Sequence, residues 1–429
     1  MIETRRRPRS EVVNLPLLQE TDFTYLGSFR LPWCDGRWGY VSDRGGLAFD
    51  ATTGHLWAHE GYGVFEFAIP DLVATTDPLH LPEATLVQPV FDPSEGHLYT
   101  DIGSGDAKLG GILVHQDKLI LASYIYFDAN NAARKSHFQH AKDGTQASYA
   151  GLTKVGADPK TCGWVSKYMA PIPAEWQAAL GGVAITGGAS LPIQSRLPYG
   201  FSAGVFNPDD IDVVDPVPVF VVQGQPSDHQ TWGPWDGHSE MWNANAWVNN
   251  VCLIAGTRTA IWCGAHGIGP FCYGSPGIEC TDPEQPHHGY HGYPYRYQHW
   301  LIDMYEWAEV KAGHRQPWDV LPYAYYGVTY PFTSRNHYVI GCAYDPTECI
   351  LYVMQSQVCG YDNSEPAVHG YRVNVPAAPE PPEPPDPPKP PDTDTSLETA
   401  TVSALFHELG KRFAVTVPTP QTGRCRGRR

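Results

Sequence analysis

The sequence predicts an all-β chain folded as a β-propeller of six or seven blades, seven preferred, and three observations predict it. The first is a repeat between the two ends of the body, where GGLAFDATTGHLWA from Gly45 aligns without a gap on IGCAYDPTECILYV from Ile340. Gly46, Ala48, Phe49, Asp50, Leu56 and Trp57 fall on Gly341, Ala343, Tyr344, Asp345, Leu351 and Tyr352. Each copy reads as a strand, a turn built on Asp and a second strand, which is a hairpin. The second is a strand ending that recurs as FEFAIPDLVA near Phe65, YMAPIPAEWQAALGG near Tyr168, GVFNPDDID near Gly204 and LIDMYEWAEVKAG near Leu301. Each reads as an outer strand running into helical turns. The third is composition: 42 Gly, 40 Pro and 24 Tyr punctuate a chain that is 42% hydrophobic and only 17% charged, which suits many short strands around a core. Radial repetition of small antiparallel sheets leaves this record, and end units that resemble each other suit neighbours in a closed ring without open edges. A large β-sandwich or a β-helix is the alternative.

In chain order, residues 1–22 read as a basic arm carrying Arg5, Arg6, Arg7 and Arg9. The body spans 23–375. Its first hairpin, at Gly45, is followed by a strand from Gly63 to Ile69, and its last, at Ile340, by a strand from Ala367 to Val375. Hairpin texture returns in GGILVHQDKLILASYIYF (Gly110 to Phe127) and NNVCLIAGTRTAIWCGA (Asn249 to Ala265). Blades of about 45 to 60 residues then give six or seven. Residues 376–394 are proline-rich, lack core-forming side chains and read as an extended, semi-rigid linker. Residues 395–429 read as a short helix and a basic tail. Thr395 with Glu398 makes a capping box, and Leu397, Ala400, Ala404, Leu405 and Leu409 make an apolar stripe before the Arg-rich end. This tail is expected to dock the chain on a larger assembly.

A formal net charge of -17 disfavours nucleic acid as a partner, because phosphate contacts need an excess of Lys and Arg. No apolar run is long enough to insert in a membrane, and no signal-peptide core follows Arg9. Cys342 and Cys349 flank a turn and are candidates for a disulfide across that hairpin, while Cys263, Cys272 and Cys280 form another cluster. A disulfide without a signal peptide points to a virion or to an extracellular location reached after lysis, with the cytoplasm as the alternative.

Two segments carry candidate chemistry. Trp232, Trp235, Asp236, His238 and Trp242 share a Gly- and Trp-rich loop with Glu240, and Tyr293 and Tyr295 follow in a second aromatic segment. Rings beside carboxylates are what sugar recognition uses, since an apolar sugar face stacks on a ring while its hydroxyls meet polar groups; large aromatics also fill cores. His266, His287 and His291 lie among Gly, Tyr and Cys together with His288 and His299. Neutral imidazoles bind transition metals, yet the spacing is neither HExxH nor a paired CxxC, so packing and hydrogen bonding compete with a divalent-metal site. No cofactor is otherwise expected. DIGSGD from Asp101 departs from EF-hand spacing, and GGVAITGGAS from Gly181 is no phosphate loop.

YLGSFRLP at Tyr25, HGIGPFCYG at His266, HGYPYRYQHW at His291, PWDVLPY at Pro317 and GCAYDP at Gly341 resemble phrases of an uncharacterised group of propeller-like proteins from environmental bacteria. The likeness covers most of 23–375. It implies the propeller fold and no established activity, and the linker and tail look like additions to it. The resulting expectation is a non-catalytic recognition or scaffold propeller on a surface or particle, such as a virion appendage, with glycan as ligand. The alternatives are a metal-dependent hydrolase or polysaccharide lyase using the histidines, and a purely structural assembly subunit.

Overall fold

The structure is a computed structural model that describes residues 12–31, 46–60, 63–102, 107–130, 132–156, 162–189, 197–226, 228–234, 237–274, 279–285, 288–334, 337–359 and 365–377. The proline-rich linker beyond residue 377, the capping box, the apolar stripe and the basic tail lie outside these residues, as do Arg5, Arg6, Arg7 and Arg9.

The first described strand, β1 (Phe23–Arg30), joins a sheet that the chain completes only at its far end. Blade 1 follows as β2 (Gly46–Asp50), β3 (His55–Glu60), β4 (Gly63–Ala68) and β5 (Thr85–Phe91). Blade 2 is β6 (Ala107–His115), β7 (Lys118–Ile125), β8 (His137–Ala141) and β9 (Ala150–Thr153). Blade 3 is β10 (Tyr168–Pro171), β11 (Ala184–Gly187), β12 (Tyr199–Phe206) and β13 (Phe220–Gln225).

Blade 4 has a divided inner strand, β14 (Ala246–Val248) and β15 (Cys252–Leu253), and both pieces pair with β16 (Thr259–Gly267). Between them the Asn250 side chain replaces the missing rung: its Nδ2 donates to Cys263 O at 2.7 Å and its Oδ1 accepts from Cys263 N at 3.0 Å. A small two-stranded sheet, β17 (Cys272–Gly274) with β18 (Gly289–His291), interrupts the blade before β19 (Tyr295–Asp303) and β20 (Ala324–Val328) complete it. Blade 5 is β21 (Val339–Asp345), β22 (Ile350–Cys359) and β23 (Glu365–Val373), with β1 as its outermost strand, paired from Phe23↔Val373 to Arg30↔Ala367.

Every strand pair is antiparallel within its blade, and the innermost strands touch in a ring: β2 on β6, β6 on β10, β10 on β15, β15 on β21 and β21 on β2. Glycines permit this approach. A Cβ at Gly110 would lie 1.7 Å from Ser166 O, where the Gly111 N–H donates to the same carbonyl at 3.1 Å.

Strand alternation explains why the ring has five seams, each with its own apolar cluster. In blade 1 Leu47, Leu56 and Ala58 face blade 5, packing with Ile340, Tyr352 and Met354, whereas Ala48 and Trp57 face blade 2, with Leu109 and Leu121. Leu113 and Ile120 meet Met169 and Phe206 between blades 2 and 3. Phe201 meets Trp262 and Trp300 between blades 3 and 4, and Leu301 meets Leu351 and Val353 between blades 4 and 5. Both faces of a blade are therefore covered, so β12 is buried at all eight positions and its sequence shows no polar face. Each fully buried aliphatic or Phe side chain stabilises the ring by about 1.5–3 kcal/mol.

Two buried histidines are fixed by hydroxyl and amide groups, one within blade 5 and one across the seam between blades 2 and 3. His369 on β23 has Nδ1 3.0 Å from Ser28 Oγ on β1 and Nε2 2.9 Å from Gln355 Oε1 on β22, fastening the closing strand. His137 on β8 has Nδ1 2.8 Å from Ser136 Oγ and Nε2 2.9 Å from Thr186 Oγ1 in blade 3. Burial drives both down to about 3, so they stay neutral in the fold.

The hairpin repeat predicted at the two ends is present in matching register: Ala48 pairs with Trp57 as Ala343 pairs with Tyr352, in adjacent blades. Four differences stand out. Five blades, not six or seven, are formed among the described residues, at about 70 residues each, because long connections such as 226–245 and the insertion carrying β17 and β18 inflate the repeat. The YMAP strand at Tyr168 is innermost rather than outer, and the helix Ala174–Leu180 replaces its hairpin turn, closed by Gly181 at φ 77. Residues 12–22 pack on blade 4 rather than standing apart: Val12 and Leu18 are buried, Arg258 holds Val13 O and Pro16 O, and Tyr323 holds Leu18 O. Finally, Cys342 sits opposite Val353 in the ladder, and Cys349 lies in the turn at φ 52, so that pair forms no disulfide; Cys272 and Cys280 do. Among the described residues no helix is long and apolar enough to cross a membrane.

Candidate functional site

The insertion in blade 4 is an arm, and its stem is the blade's own ladder carried onward. β16 and β19 pair from Thr259↔Asp303 to Gly267↔Tyr295. Past the sheet, the Ile268 N–H donates to Pro294 O at 2.9 Å and the Gly269 N–H to Gly292 O at 2.8 Å. β17 and β18 then pair from Cys272↔His291 to Gly274↔Gly289. A Cβ at Gly269 would lie 1.7 Å from Tyr293 O, so glycine is what lets the stem close. A two-stranded ribbon is marginal by itself. The Cys272–Cys280 disulfide offsets this by tying β17 to the tip.

A buried carboxylate supplies the second staple. Asp282, 2% exposed, accepts the Glu284 and Gln285 N–H groups on Oδ1, each at 3.0 Å, and the Tyr295 hydroxyl on Oδ2 at 2.7 Å. His291 Nδ1 lies 3.0 Å from the same oxygen, and its Nε2 lies 2.6 Å from Gly274 O. Both imidazole nitrogens thus face oxygen partners, which fix the ring between Asp282 and Gly274. Burial and then the Asp282 carboxylate push the Tyr295 phenol up, which keeps it a donor.

These staples hold a set of rings outward. Tyr273 is 50% exposed, and its ring centroid lies 4.9 Å from Tyr290 and 5.1 Å from His288, both edge to face. Phe271 packs 5.6 Å from Tyr290, and Tyr293 is 39% exposed. Acidic groups lie close by: the Glu279 carboxyl covers Gly274, and Glu284 accepts from His337 at 2.7 Å. Nearer the blade, Glu240 accepts from Arg296 at 2.8 Å and lies 3.2 Å from His238 Nε2. Exposed ring faces edged by carboxylates and imidazoles can stack on an apolar ligand face and bind its hydroxyls.

The residues expected to bind a ligand divide between two environments. Trp232 and Trp242 are 2% and 3% exposed, packed with Phe201, Trp262 and Trp300 in the seam between blades 3 and 4, and present no face for stacking. Tyr295 is buried as the partner of Asp282, whereas Tyr293 and His238 reach the surface. Trp235 and Asp236 lie outside the described residues, and so does His287.

The metal expectation meets a different geometry. His266 sits on β16, the second strand of its blade, with Nε2 2.5 Å from Ser239 O, and burial lowers it to about 4. His291 is consumed by Asp282 and Gly274, so the two do not share a centre. Among the described residues no three His, Cys, Asp or Glu side chains are grouped to hold a metal ion. Sequence reasoning missed Phe271, Tyr273 and Tyr290 as a surface, although they lie in the same His- and Tyr-dense segment. The available signal was the alternation of Cys, Tyr and Gly in CYG against GYH, which marks a ribbon with rings on one face.

A second concavity lies on the propeller axis. All five inner strands wall an apolar cavity of about 410 Å³, with Leu47, Ile112, Met169, Leu253 and Cys342 among its lining residues.

No protein-family model matches the chain, and no curated protein matches it in sequence. Solved structures similar to it include one from the GH130 family of mannoside phosphorylases, a family containing glycoside hydrolases that target beta-1,2 mannosidic linkages in Candida mannan. That structure is 10% identical, with a TM-score of 0.41 over 86% of this chain and 99% of that one. Another is the beta-propeller domain of Myceliophteria thermophila Cps50 (Swd1), 8% identical, with a TM-score of 0.31 over 76% of this chain and 82% of that one. The propeller architecture itself rests on the strand pairing and ring closure of this chain.

Proposed function

We propose that this propeller is a recognition module that binds glycan on the arm of blade 4. The observation that carries the reading is the ring cluster in which Tyr273 and His288 are exposed and Tyr290 and Phe271 half-buried beside them, braced by a disulfide and a buried Asp–His pair. Rings that are exposed yet fixed lose little entropy when a sugar stacks on them, and Glu279 and His288 supply partners for its hydroxyls. The linker and basic tail would tether the module to a larger assembly such as a virion appendage, a reading supported by their composition. Screening the purified chain against a panel of bacterial and plant polysaccharides tests the proposal. A hit should weaken at least tenfold in Tyr273→Ala/Tyr290→Ala and persist in His266→Ala. Equal affinity of the double variant and the wild type, or no hit in the panel, would overturn it.

A further inference from the structure

Cys252 and Cys263 on adjacent strands of blade 4 meet the distant Cys342 at the seam between blades 4 and 5. Cys252 on β15 and Cys342 on β21 bring their sulfurs to 3.0 Å, about one ångström beyond the covalent S–S length. Asn250 sets this geometry from both sides, since its Oδ1 lies 3.1 Å from Cys342 Sγ while its amide holds the Cys263 backbone. Cys263 is the third thiol, paired in register with His299 on the neighbouring strand. Burial opposes its ionisation, but the Cys342 thiol and His299 outweigh that and bring Cys263 down, whereas burial pushes Cys252 and Cys342 up. Cys252 and Cys342 are only 3% and 4% exposed, yet both residues line the axial cavity.

We propose that Cys252 and Cys342 are a modification site: hydrogen peroxide entering the axial cavity converts them into a disulfide that ties blade 4 to blade 5. The Cys252 sulfur, hydrogen-bonded to Cys342, attacks one peroxide oxygen, the O–O bond breaks, and the other oxygen leaves with the thiol proton as water. The Cys342 sulfur then displaces hydroxide from the resulting sulfenic acid, and its own proton leaves with that hydroxide as a second water. Two thiols lose two electrons and two protons in total, and one peroxide becomes two waters. The new bond joins the inner strands of blades 4 and 5, and blade 5 is the one that β1 completes from the far end of the chain. It therefore resists unfolding from the closure.

The test is peptide mapping of the full chain after peroxide treatment, with free thiols blocked before digestion without reductant. The expected product is a peptide pair joined through Cys252 and Cys342, alongside the Cys272–Cys280 link. The oxidised chain should also unfold in guanidinium at least tenfold more slowly than the reduced chain, a difference that Cys252→Ser abolishes. Recovery of Cys252 and Cys342 as blocked thiols, or of Cys342 joined to Cys263 or Cys349 instead, would overturn the proposal.

Discussion

The seam between blades 3 and 4 and the arm of blade 4 are built from the same kinds of side chain and use them in opposite ways. In the seam, Phe201 lies 4.5 Å from Trp232 and 4.4 Å from Trp262, and Trp242 lies 5.6 Å from Trp300, with the rings closed off from water. In the arm, Tyr273 lies at similar spacing from His288 and from Tyr290, but Tyr273 and His288 are exposed. Ring-to-ring geometry is therefore no guide to role. What differs is the support: the seam rings are held by strands on both sides, whereas the arm rings stand on a ribbon that needs its own disulfide and buried Asp282–His291 contact. A ring held by its neighbours stabilises the fold, and one held by a staple remains available to a ligand.

That contrast breaks most sharply at Trp242. Trp242→Ala leaves a cavity in the seam and is expected to cost about 3–5 kcal/mol of stability, read from denaturant unfolding. A stable variant that had lost only ligand binding would return Trp242 to the recognition surface. Acid separates the regions next. His137 and His369 have folded-state values depressed to about 3, below the ordinary histidine value, so their contribution is complete above about pH 6.5 and is lost as pH falls toward 3. By pH 5 each costs the blades about 2 kcal/mol. The urea midpoint should fall between pH 7 and pH 5, less so in His369→Gln, and a flat profile would contradict the neutral, buried assignment.

Cutting the arm staple comes third. Cys272→Ser/Cys280→Ser is expected to loosen the tip by about 2 kcal/mol, seen as faster amide exchange confined to β17 and β18. Exchange spreading through the five seams would show that the arm is part of the core. Smallest is the effect of Tyr273→Ala on unfolding, expected to stay within about 0.5 kcal/mol because its ring is half exposed. A larger loss would place that ring among the packing residues and weaken the recognition reading.

The repeat shared by Gly46–Trp57 and Gly341–Tyr352 was legible because an inner hairpin in any blade meets the same two neighbours, and identical surroundings select similar residues. Ring closure between those units was legible for the same reason. Blade number was not, since it depends on how much chain each connection absorbs, and an insertion such as the arm has no fixed length. The role of β1 was hidden too: its partner β23 lies more than three hundred residues away, and Ser28 meets His369 only after the whole ring has folded.

The sequence by itself determined an all-β chain of repeated hairpins, with its apolar residues running continuously because both faces of each blade are covered. It also marked the His- and Tyr-dense segment near residue 290 as unusual. Only the tertiary structure decided that Trp232 and Trp242 are interior while Tyr273 is exposed, and that Cys342 meets Cys252 rather than Cys349. Exposure and long-range contact depend on which strand lies across the seam, and a local pattern of residue types carries no record of the neighbour that will cover it.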